Sequence, residues 1–127
     1  MLVRTARSAR LLGTLAVRLE DAGVIGRVPE PVAGHLRAAR AESLYLRQMS
    51  LRQLTVVAET LRPVGAPLIA LKGSAYILVR LPNAAGRMPR DVDLMVERSR
   101  LDEMERALRT AGWGFVRYTG RRIARRK

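Results

Sequence analysis

Cysteine is absent from this 127-residue chain, so disulfides and thiolate zinc sites are excluded and any metal must be held by oxygen donors or the single histidine, His35. Aromatic residues make up only 4%, too few for a platform on which successive bases of single-stranded nucleic acid would stack. No apolar run approaches the roughly 20 residues of a transmembrane helix, and no internal repeat or long low-complexity segment is present. Acidic residues are scarce, 11 against 24 lysines and arginines, and none follows Trp113. The chain as a whole is 48% hydrophobic, which suits a single folded domain with a real core, and the lack of cysteine fits a cytoplasmic setting.

The formal charge of +13 raises the question of a polyanionic partner. Part of it is concentrated at the end of the chain, in Arg117, Arg121, Arg122, Arg125, Arg126 and Lys127. Arginine and alanine abound throughout the rest, which favours nonspecific charge over a dedicated nucleic-acid surface. Contact with nucleic acid through the basic tail stays open as an alternative.

Three regions are expected: N-terminal helices over 1–62, an α/β core over 63–118 and a basic tail over 119–127. Met1 to Ala22 is Arg-rich and poor in acids, as transit peptides are, but Leu12, Leu15 and Leu19 recur at helical spacing and predict an amphipathic helix. Gly23, Gly26, Pro29 and Pro31 mark a connector. His35 to Leu61 is expected as one long helix, with Leu44, Leu51, Leu54, Ala58 and Leu61 as its apolar stripe. Leu101 to Ala111 reads as a helix capped by Ser99, and Trp113 to Tyr118 as a strand. From Gly120 onward no core-forming pattern is visible. The alternation of helices and strands predicts an α/β (α+β) fold with leading helices.

The stretch from Leu68 to Val96 carries the chemistry. Leu68 to Leu71 is a short apolar run broken at Gly73-Ser74, which predicts a buried strand, a turn and a helix over Ala75 to Leu81. Asp91 to Val96 alternates, so a strand there would put Asp91, Asp93 and Met95 on one face. Two neighbouring carboxylates repel unless one is protonated or both hold a cation, and Mg²⁺ takes oxygen ligands of this kind together with substrate phosphates. A Gly-Ser turn offers backbone amides and a hydroxyl to an anion. Together the two halves suggest a metal–triphosphate site.

Leu71-Lys72-Gly73-Ser74, then Arg87, then Asp91-Val92-Asp93-Leu94-Met95-Val96 resembles the signature of the DNA polymerase β-type nucleotidyltransferase superfamily. More narrowly it is similar to an uncharacterised bacterial nucleotidyltransferase family, over roughly Leu44 to Val116. The resemblance implies a polymerase β-like fold, a nucleoside triphosphate substrate and transfer of a nucleotidyl group to an unidentified hydroxyl acceptor. It implies Asp91 and Asp93 as catalytic Mg²⁺ ligands, and Lys72, Gly73, Ser74 and Arg87 as nucleotide-binding residues.

Two departures stand out. Ser74 and Asp91 are farther apart than in compact members, and no acid after Trp113 supplies the third carboxylate that a later strand usually provides. The expectation is therefore an incomplete unit in which nucleotide binding is better supported than turnover. Two alternatives remain open. One is the toxin-type nucleotidyltransferase of phage-defence systems, from which Ser74 departs by replacing a second glycine. The other is a noncatalytic basic module that binds nucleic acid or protein.

Overall fold

Helix punctuation explains most of the architecture. In the computed structural model, which describes residues 1–118 and 121–126 and the side chains of 1–115, the expected leading helix is two helices, α1 (Leu2–Ser8) and α2 (Leu12–Asp21). The break is a left-handed helix end. Arg10 has φ 57°, its N–H donates to the Arg7 carbonyl, and Leu11 N–H reaches back to Ala6 at 2.8 Å. The leucine spacing carries no trace of this reversal because it continues on either side.

The third helix, α3 (Glu30–Leu61), starts one turn before the expected His35. Pro31 lies in its first turn, where a missing N–H is harmless. Its buried side runs through Ala33, Leu36, Ala39, Ser43, Ser50, Leu54, Val57 and Leu61, whereas Leu44 and Ala58 of the expected stripe lie exposed. Small residues line the first half of that side, so a stripe drawn through leucines alone is displaced from it.

After α3 come β1 (Ile69–Ala70), α4 (Lys72–Leu78), β2 (Leu94–Met95), α5 (Leu101–Thr110), β3 (Trp113–Tyr118) and β4 (Arg121–Arg126). β1 pairs with β2 in one two-stranded ladder, and β3 pairs antiparallel with β4 in another, in register Trp113 with Arg126 to Tyr118 with Arg121. The architecture is mixed α+β with leading helices, as expected. Five local expectations are corrected. Asp91 to Val96 extends as a strand only at Leu94–Met95, and Ile69 of the presumed buried strand is 50% exposed. The helix expected over Ala75 to Leu81 begins at Lys72 and ends at a second left-handed residue, Arg80, φ 53°. Ser99 does not cap α5, because its hydroxyl turns to the Glu97 carboxylate inside a 3-10 turn, Arg98–Arg100. The basic end contains the strand β4.

The chain forms two compact units, both discontinuous in sequence and cutting across the linear division above: 1–52 with 70–93, and 53–69 with 94–127. In the first, Ala6, Leu12, Ala16, Leu36 and Ala39 form a core flanked by Leu15, Leu19, Val32 and Met88. In the second, Val57, Leu61, Val64 and Met104 form another, with Leu68, Leu94, Val96 and Trp113 packed against it. Arg109 in the second unit chelates Glu105 at 2.7 and 3.2 Å and lies 4.2 Å over the Phe115 ring. Among the described residues no helix is long and apolar enough to cross a membrane.

Candidate functional site

All the residues singled out from the sequence, Lys72, Gly73, Ser74, Arg87, Asp91 and Asp93, belong to the first unit. Two chain segments carry them, and beside the β1–β2 pairing a backbone hydrogen bond ties these together: Leu71 N–H donates to the Asp93 carbonyl at 2.9 Å. That bond sets Asp93 beside the bend that opens α4. Across it, Lys72 Nζ lies 3.2 Å from Asp93 Oδ2.

Lys72 begins α4 with φ 51°, a left-handed conformation that costs an L-residue about 1–2 kcal/mol. Among the described residues, three non-glycines have such a backbone. Arg10 and Arg80 each close a helix with the paired hydrogen bonds of a left-handed C-terminus, in the second case Arg80 to Ile77 and Leu81 to Tyr76. Lys72 stands at a helix start, where no such cap accounts for it. Backbone of this kind collects at functional sites.

Gly73 has neither a positive φ nor close neighbours. A Cβ placed on it would meet only Pro89, at an ordinary 3.9 Å. Ser74 lies on the inward side of α4, 1% exposed, and its Oγ has no hydrogen-bond partner. Such a group costs about 1–3 kcal/mol. Ala75 N–H bonds the Leu71 carbonyl, so the amides of Lys72, Gly73 and Ser74 form the first turn, where no intrahelical acceptor exists.

Arg87 does not reach the carboxylates. Its guanidinium lies 5.2 Å from the centroid of the Tyr76 ring, and neither it nor Arg90 forms an ion pair with Asp91 among the described residues. Asp91 is exposed in a bend before β2. Tyr76 is the participant that sequence reasoning missed. The available signal was its position three residues past Gly73, in a chain with few aromatics.

Whether these residues suit a divalent ion can be judged from Asp93 itself. An ammonium rests against one of its oxygens, so the carboxylate already takes a cation at this place. The donors are hard oxygens, as Mg²⁺ requires. No group of three or more His, Asp or Glu side chains converges among the described residues. Two carboxylates alone do not fill the coordination shell of such an ion, whose other positions water or a ligand would occupy.

Sequence comparison extends the likeness beyond this site. A family model described as "Uncharacterised nucleotidyltransferase" matches residues 1–126, so the leading helices fall inside the matched region along with the motif segments. No curated protein and no solved structure matches the chain.

Proposed function

The chain belongs to the uncharacterised nucleotidyltransferase family, and on that premise we propose that its first unit binds a magnesium-bound nucleoside triphosphate and transfers the nucleotidyl group to a hydroxyl acceptor. The observation that carries the reading is the adjacency of the two motif segments, through the Leu71–Asp93 backbone bond and the 3.2 Å contact between Lys72 and Asp93. Asp91 and Asp93 would hold the ion. When bound, it would neutralise triphosphate charge and polarise the acceptor oxygen.

The chain's own residues bind and orient. First-turn amides at Lys72, Gly73 and Ser74 offer donors to phosphate oxygens, and bare Gly73 lets them approach the backbone. The Ser74 hydroxyl has no protein partner but is buried, so it reaches the ligand only when the first turn of α4 shifts on binding. Arg87, steadied by the Tyr76 ring, supplies positive charge near the leaving pyrophosphate. In the transfer, the acceptor oxygen bonds to the α-phosphorus as the bond to the bridging oxygen breaks, and the acceptor proton passes to a carboxylate or to water. Positioning and electrostatics supply most of the rate.

Asp91→Asn and Asp93→Asn test this directly. Each removes one anionic ligand without changing shape, and each is expected to weaken Mg²⁺-dependent triphosphate binding at least tenfold by calorimetry. Wild-type affinity in both variants would refute the site. Unchanged binding that instead falls steeply with salt would point to the noncatalytic basic module.

A further inference from the structure

Lysine is rare in this chain. Lys72 and Lys127 are the two lysines among 24 basic residues, and all other positive side chains are arginines. The lysine at the bend is 75% exposed at its side chain, whereas its partner Asp93 is 35% exposed. An ion pair so open to water contributes little to folding. It nonetheless lies on a carboxylate that the proposed reaction needs free. Arg87 leaves that carboxylate alone and stacks on Tyr76.

Resting on the function proposed above, we infer that Lys72 is a resident counter-cation for Asp93, exchanged for the divalent ion only when that ion arrives on a triphosphate. Before binding, the ammonium balances the Asp93 carboxylate and competes there with a free metal ion. A metal bound to a triphosphate brings its own anion, so the displaced ammonium finds new partners in the phosphate oxygens a short swing away. The metal alone offers no such compensation. Lysine suits the exchange because its charge is compact and its stem flexible, whereas the planar fork of arginine grips a carboxylate at two points. The consequence is coupling: nucleotide raises metal affinity, metal raises nucleotide affinity by the same factor, and Lys72 carries a share of both.

The test uses the full chain and two probes, Mn²⁺ alone, followed by electron paramagnetic resonance, and each of the four ribonucleoside triphosphates titrated with Mg²⁺. In Lys72→Met, affinity for Mn²⁺ without nucleotide is expected to rise about tenfold, and affinity for the magnesium triphosphate to fall about tenfold. Lys72→Arg, which keeps the charge, should bind free Mn²⁺ no better than wild type. Circular dichroism and thermal melts of both variants check that the fold persists. If Lys72→Met binds Mn²⁺ no more tightly than wild type while wild type binds magnesium triphosphate, the exchange is overturned and the site survives. If wild type binds neither probe, the site and the exchange fall together.

Discussion

Gly13 of α2 and Gly86, the residue before Arg87, lie backbone against backbone, so closely that a Cβ on either would fall within the other's main chain. The leading helices thus hold the loop that carries Arg87, which ties the core of the first unit to its candidate site. Gly86 also has φ 74°, which an L-residue adopts only with strain. Gly13→Ala and Gly86→Ala are each expected to lower stability by about 3 kcal/mol or more, with Gly86→Ala the worse, as read from urea unfolding midpoints. A loss below about 1 kcal/mol in both would mean the contact is not close.

The two left-handed helix ends give the opposite sign. Arg10 and Arg80 occupy positions that glycine fills without strain, and both are exposed. Arg10→Gly and Arg80→Gly should each stabilise the protein by about 0.5–1 kcal/mol, partly offset by the greater freedom of glycine in the unfolded chain. Thermal melts of the single and double variants check this, and the effects should add because the sites share no partner.

At the bend, stability and binding should move apart. Gly73→Ala removes a helix-weakening glycine into open space and is expected to stabilise by about 0.5–1 kcal/mol. Ser74→Ala removes a buried hydroxyl without a partner and should stabilise by about 1 kcal/mol. Both are expected to weaken triphosphate binding about tenfold. Gly34→Ala, in α3 and also in open space, serves as the control that stabilises without affecting binding.

Legibility from sequence followed the physics of each signal. Periodicity over long segments revealed α3 and α5, and the aromatic and β-branched run gave β3 to the residue. The split between α1 and α2 was invisible because arginine rather than glycine occupies the reversing position. β4 escaped notice because its six residues include four arginines, which break any core-forming pattern. The basic tail's expected contact with nucleic acid likewise concerns side chains outside the description.

At the site, the bend and Asp93 are joined by the Leu71–Asp93 backbone bond next to the paired strands β1 and β2. Side-chain partners were not legible. Arg87 chose the Tyr76 face over a carboxylate, and Lys72 chose Asp93, because both depend on backbone direction at single residues that no spacing rule encodes.

The most direct measurement is titration of the wild-type chain with each labelled ribonucleoside triphosphate, with and without Mg²⁺, at two salt concentrations. Saturable binding that requires Mg²⁺ and tolerates moderate salt is the predicted result. Binding that is indifferent to Mg²⁺ and disappears as salt rises would contradict it.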